Sequence, residues 1–258
     1  ITENTRVVFV ANPNNPTGSY STLAELERLH AALPEDVLLV IDAAYSEYVD
    51  ADDYDDGSSL VAKHRNVVMT RTFSKLFGLA ALRIGWAYGS ADVIDILNRV
   101  RGPFNVSVPA QAAATAALDD WDWAMDAKDL NNRLLPVVTQ RIRGMGLTVY
   151  DSVGNFILID FDDADRAAAA DTFLRGNFML VAIAFQQPWP EPWWHSWLKQ
   201  QKVLFDPPMV IPTAFWPCGL AFVSSLTSSP VSSPFCQRRI ASSTLFSPEE
   251  ELNTFICF

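Results

Sequence analysis

Three short apolar runs, each ending in polar residues, constrain this chain more than any other feature. They are "RVVFVANP" (6–13), "VLLVIDAAY" (37–45) and "NVVMTRTF" (66–73). The second is nearly continuous in Val, Leu and Ile, the pattern of a strand covered on both faces. Between the first two lies "STLAELERLHAAL" (21–33), with a Ser or Thr start, early glutamates and apolar residues at helical spacing. "RIGWAYG" (83–89) reads as a fourth strand, opened by Arg83. Helices are expected over "SADVIDILNRVR" (90–101), "VPAQAAATAALDD" (108–120), about 121–144 and "DADRAAAADTFLR" (163–175). Residues 147–161 read as two strands around a turn at Gly154. Strands alternating with helices predict an α/β fold, a partial and mostly parallel sheet flanked by helices. In such sheets the ligand site lies beyond the carboxyl ends of the strands.

Composition narrows the partners. Thirty acidic residues against 19 Lys and Arg leave a net charge of −11 over 258 residues. Nucleic acid and polybasic membrane contacts need a basic face, so neither is expected. No run approaches the roughly 20 apolar residues of a membrane span. The opening "ITENTRVVFV" has no basic segment ahead of an apolar one, so no signal peptide is expected. It does not start with Met, which suggests a fragment. Cys218, Cys236 and Cys257 show no Cys-x-x-Cys spacing, and His30, His64 and His195 are scattered, so no metal site is expected. Cytoplasm is the expected compartment. The acidic run "DADDYDDG" (50–57) reads as a solvated loop, and "WDWAMDAKDL" (121–130) as helix surface with two packed indoles.

The chain changes character near residue 177. The remainder holds ten of the 16 Pro, five of the eight Trp and all three Cys, yet only one of the 11 Gly. Stretches such as "QQPWPEPWWHSW" and "VSSLTSSPVSSPF" show neither helical nor alternating periodicity, which predicts loop or disorder. A shifted reading frame or a fused fragment would produce such a composition.

Polar residues gather at the predicted strand ends. The first run stops in "NPNNPTG", which holds Asn15; the second reaches Asp42 and Tyr45; the third ends in Thr72, Ser74 and Lys75. An amine, a carboxylate, a phenol, an amide, hydroxyls and the Arg83 guanidinium together suit a phosphorylated aromatic aldehyde cofactor. Lysine can form a Schiff base with the aldehyde. A carboxylate can hold a protonated pyridine nitrogen and strengthen the ring as an electron sink. Arginine with Thr or Ser can grip a phosphate. Each residue also has a plain structural reading: a turn for Asn15, a cap for Asp42, a core aromatic for Tyr45, a solvated amine for Lys75.

"NPNNPTG", "DAAY" and "TFSKLFGLAALRIGW" resemble the fold type I pyridoxal-phosphate aminotransferases. "RGPFNVSVPAQAAATAAL" and "NFILIDF" narrow the resemblance to the histidinol-phosphate aminotransferase family, over about residues 1–176. The resemblance implies that Lys75 carries pyridoxal 5′-phosphate and is the catalytic base. Asp42 would pair with the pyridine nitrogen, Tyr45 and Asn15 with the phenolic oxygen, and Thr72, Ser74 and Arg83 with the phosphate. It implies transamination between histidinol phosphate and 2-oxoglutarate by a homodimer whose segment 101–110 lies near the subunit interface. Residues 1–118 would be a truncated cofactor-binding domain, 119–176 part of a small α+β domain, and 177–258 an atypical tail. The family also has a preceding segment with outer strands, so the present sheet is expected to show an unpaired edge. A late "R-[IV]-[ST]-x-G"-like strand, whose arginine binds the substrate α-carboxylate, has no match here; Arg238 and Arg239 are the only late arginines. The alternatives are another pyridoxal-phosphate enzyme, such as an amino-acid aminotransferase or a phospho-amino-acid decarboxylase, and a non-catalytic fragment.

Overall fold

The computed structural model describes residues 1–176 and 253–257. Strand β1 (Val7–Ala11) leads through helix α1 (Leu23–Ala31) to β2 (Leu38–Asp42), and β2 through α2 (Ser58–Lys63) to β3 (Val67–Thr72). These strands pair in parallel, β1 with β2 and β2 with β3. β4 (Gly85–Ser90) then returns antiparallel to β3. Helices α3 (Ala91–Val100), α4 (Val108–Asp119) and α5 (Trp121–Arg143) follow. A two-stranded antiparallel pair, β5 (Thr148–Val149) with β6 (Ile159–Asp160), precedes α6 (Ala164–Gly176). β7 (Asn253–Cys257) pairs antiparallel with β4, giving the order β1-β2-β3-β4-β7. The expected α/β architecture is therefore present, with four strands of the sheet running one way and β4 the other.

The apolar continuity of the central strands follows from packing on both faces. Along β3, Val67 and Met69 join a cluster with Leu26 of α1 and with Leu60 and Val61 of α2. Val68 points the other way, into a cluster with Ile94 of α3, Ala110 and Ala114 of α4 and Ala124 of α5. A strand with helices over both faces has no position left for a solvated side chain. Helix α1 starts at a reciprocal cap: the Glu25 amide donates to Thr22 Oγ1, and the Thr22 amide donates to Glu25 Oε2.

Several local expectations are corrected. β2 stops at Asp42, and Tyr45 introduces a short 3₁₀ turn over Ser46–Tyr48. Arg83 precedes β4, following a 3₁₀ turn over Ala80–Leu82. The strands expected over 147–161 shrink to two residues each. The acidic run 50–57 is solvated only at its start. Asp55 and Asp56 are half-buried, Asp55 accepts from the Gly57 amide at 2.7 Å, and Asp56 pairs with Arg71. Gly57 has φ +99° and a Cβ there would lie 2.8 Å from Ile41 Cδ1, so glycine is required where this loop enters α2. Of the two indoles, Trp121 packs on Phe77 with ring centroids 6.0 Å apart, whereas Trp123 is about half exposed.

The atypical tail holds one surprise. Residues 253–257 form a strand that pairs with β4, while β1 keeps β2 as its one neighbour among the described strands, an open edge as expected. Cys218, Cys236, His195, Arg238, Arg239 and the rest of 177–252 lie outside the described residues.

Two stability predictions follow from this packing. Leu39 is fully buried in β2, so Leu39→Ala should cost about 2–5 kcal/mol, against about 1 kcal/mol for Thr22→Ala at the α1 cap. Urea unfolding midpoints rank the two. Burial, and then the Glu47 charge, push the Tyr48 phenol up to about 12. The folded state thus favours the neutral phenol. Its contribution is complete below pH 10 and is lost as pH rises from 10 to 12, about 2–3 kcal/mol. Tyr48→Phe should flatten that alkaline decline in denaturant titrations.

Candidate active site

The parallel ladder delivers three loops to one edge. In register, Ala11 stands beside Asp42 and Asp42 beside Thr70. The loop after β1 is fastened by Asn12, which is fully buried. Its amide N–H donates to the Asp42 carbonyl at 2.9 Å, its Oδ1 accepts from the Ser21 amide at 2.7 Å, and its Nδ2 donates to the Ser21 carbonyl at 3.0 Å. Inside that frame the chain doubles back, the Gly18 amide donating to the Asn14 carbonyl at 2.8 Å. Gly18 has φ +75°, and a Cβ there would lie 2.8 Å from the Ser152 backbone, so only glycine permits this approach. Asn15 is left exposed at the loop tip, its Nδ2 donating to the Tyr45 hydroxyl at 2.9 Å.

At the end of β2, Asp42 is half-buried and its Oδ1 accepts from the Ala44 amide at 3.1 Å. Tyr45 is buried, with its ring edge-on to Phe156 at a centroid separation of 5.0 Å. That contact fixes the ring plane and leaves the hydroxyl end facing Asn15.

β3 runs into a loop closed by backbone hydrogen bonds from Leu79 to Phe73 (2.9 Å) and from Phe73 to Ile84 (3.1 Å). Thr72 Oγ1 accepts from the Ser74 amide at 3.0 Å. The flanking Phe73, Leu76 and Phe77 are buried and anchor the loop, while Lys75 is only half-buried. Its Nζ lies 4.8 Å from the Tyr45 ring centroid, a cation–π contact. Arg83 Nη1 donates to the Ala80 carbonyl at 2.8 Å and to Ser74 Oγ at 3.3 Å. Arg83 has φ +50°, a left-handed conformation unusual for arginine and of a kind that clusters at functional sites.

The structure therefore brings Asn15, Tyr45 and Lys75 into direct contact and sets Ser74 against Arg83, with Thr72 joined to Ser74 through its backbone. Asp42 ends β2, the strand between β1 and β3. Two functional supports escaped the sequence reading. Asn12 stands beside a conspicuous turn residue and reads as one. Arg71 carried a usable signal, since a guanidinium inside an apolar strand needs buried counter-charges. Among the described residues no cluster of His, Cys, Asp and Glu could hold a metal ion, and no helix is long and apolar enough to cross a membrane.

Known proteins carry the same arrangement of sequence and fold. Histidinol-phosphate aminotransferase of Rhodospirillum centenum is 57% identical over 182 residues, covering 70% of this chain and 50% of the relative. That of Granulibacter bethesdensis is 50% identical over 181 residues, covering 70% of this chain and 49% of the relative. The crystal structure of histidinol-phosphate aminotransferase from Sinorhizobium meliloti in complex with pyridoxal-5′-phosphate superposes with a TM-score of 0.66 at 31% identity, over 72% of this chain and 51% of that one. This chain thus spans about half the length of the curated relatives it matches. The sequence model for aminotransferase class I and II matches residues 1–193, and the chain belongs to that family.

Proposed function

We propose that this chain binds pyridoxal 5′-phosphate at Lys75 and serves the transfer of an amino group from histidinol phosphate to 2-oxoglutarate. The products are imidazole acetol phosphate and glutamate, a step of histidine biosynthesis. The observation that carries the reading is the Asn15–Tyr45–Lys75 contact set beside the Ser74–Arg83 pair. The high identity to histidinol-phosphate aminotransferases supports the choice of substrate.

The donor set fits the cofactor. Arg83 and Ser74, with Thr72 behind, offer a guanidinium and hydroxyls for a phosphate. Asp42, oriented by the Ala44 amide, offers a carboxylate to a protonated ring nitrogen. Because Asn15 donates to the Tyr45 oxygen, the Tyr45 proton is left to donate onward to a ring oxygen. When bound, the cofactor supplies an electron sink for the bond broken at the substrate α-carbon. Lys75, its Nζ displaced from the cofactor by the substrate amine, would take the α-proton and deliver it to the cofactor carbon that Nζ had held, so that the amino group stays behind when the oxo acid leaves. The Tyr45 ring, 4.8 Å from Nζ, covers one side of that amine.

Residues 1–118 would form the cofactor-binding part and 119–176 part of a small domain. The working protein would be a cytoplasmic homodimer, as suits charged, phosphorylated metabolites. The exposed apolar Val100, Phe104 and Val108 around the α3–α4 connection support a subunit contact there.

Titration of the purified chain with pyridoxal phosphate, followed by visible absorbance, tests the reading. Saturable colour that borohydride fixes at Lys75 is expected, with none in Lys75→Ala. Glutamate formation from histidinol phosphate and 2-oxoglutarate should fall at least about 100-fold in that variant. Identical behaviour of the two chains would refute the assignment.

A further inference from the structure

Arg71 precedes Thr72 by one residue and Lys75 by four, in a strand otherwise built for an apolar core. Its side chain is 17% exposed. Nη2 and Nε donate to Glu47 Oε1 at 2.8 and 3.3 Å, Nη1 donates to Asp56 Oδ2 at 2.5 Å, and the guanidinium carbon lies 5.6 Å from the Trp86 ring centroid. Burial pushes the guanidinium down, but the Glu47 and Asp56 charges outweigh it and hold the group above the ordinary arginine range. The cation is permanent.

Each carboxylate belongs to a different wall of the site. Glu47 follows Tyr45 by two residues, in the turn that begins at Ser46. Asp56 closes the loop 50–57, and that loop grips the β1 connection. The Tyr54 hydroxyl donates to the Asn12 carbonyl at 2.9 Å, and Asn12 Nδ2 donates to the Asp55 carbonyl at 3.4 Å. Asn12 in turn frames the loop that presents Asn15. One guanidinium therefore ties together the segments carrying Lys75, Tyr45 and Asn15. Stability alone does not explain such a group, since apolar residues of similar volume often replace a buried ion triad at no cost. What the planar fork supplies is direction.

We propose that Arg71 is a positioning residue which, through Glu47 and Asp56, sets how the Lys75 amine faces the Tyr45–Asn15 pair. The proposal rests on the cofactor reading above and names what tunes that site. The Arg71 guanidinium is engaged by Glu47, Asp56 and Trp86 and is not among the donors offered to the cofactor. Its effect passes through the placement of the phenol beside the amine, and so through the proton affinity of the lysine–cofactor linkage.

Glu47→Gln keeps the shape and an acceptor but removes one charge. In the cofactor-loaded chain, the pH midpoint of the visible absorbance should move by about half a unit or more, and cofactor affinity should fall about tenfold. In a Tyr45→Phe background the same substitution should no longer move the midpoint. A well-folded Glu47→Gln chain, by circular dichroism, with the parental midpoint and affinity overturns the proposal. So does a shift that persists undiminished without the Tyr45 hydroxyl. Should Glu47→Gln fail to fold, Arg71→Lys is read in the same way, since it keeps the charge and loses the fork. A parent chain that takes up no cofactor fails the earlier reading instead. The positioning role is then read in the free chain from the acetylation rate of Lys75 relative to Lys63. A change of about threefold or more in Glu47→Gln is expected, and an unchanged ratio overturns the role.

Discussion

A parallel hydrogen-bonded ladder in which Ala11, Asp42 and Thr70 stand abreast determines where the connections after β1, β2 and β3, and with them most candidate site residues, leave the sheet. Parallel strands end on the same side, so three successive connections must share one edge. Their polar residues then meet without any long excursion of the chain. Burial of β2 and β3 makes the centre of the ladder rigid, and the Asn12 hydrogen bonds hold the loop after the more exposed β1, which leaves Asn15 at its tip. A strand slipped by one residue would turn Val68 toward α1 and break both clusters at once.

The site combines two kinds of restraint. Backbone hydrogen bonds and glycine turns shape the loops, as at Gly18, where the chain crosses Ser152 too closely for any side chain. Buried charge then couples one loop to the next. Coupling by ions is costly in desolvation and strongly directional, whereas apolar packing is favourable and nearly indifferent to direction. The molecule uses each where its character helps: apolar contact between helices and sheet, ion pairs and amide hydrogen bonds between loops. Phe156 belongs to both, an apolar ring whose edge orients Tyr45.

Much of this was legible in the residues themselves. The strands and long helices could be read because their apolar periods are sustained, and Lys75, Asp42 and Tyr45 because ionisable and phenolic groups interrupt those periods at the strand ends. Helix α2 could not, since "SSLVAK" is too short to show a period and depends on Gly57 to start. The buried half of the 50–57 run was misread because composition alone cannot separate a solvated aspartate from one facing Arg71. The role of Asn12 depends on Ser21 and Asp55, remote in sequence, and no local pattern announces such pairs. The strand at 253–257 was missed for the same reason: five residues in a Ser- and Pro-rich tail become a strand only where β4 offers an edge.

That last pairing has a kinetic side. β1, β2 and β3 each dock on a neighbour joined by a short connection, so their order of assembly can follow the order of synthesis. The β4–β7 register instead matches Trp86 with Cys257, and Ser90 with Asn253. Contacts this remote in sequence bear a large loop-closure entropy and form slowly. On the ribosome, β4 must therefore wait, with one row of backbone donors and acceptors unmatched, until Asn253–Cys257 has emerged. Until those residues dock, the β4 edge is open to pairing with another chain.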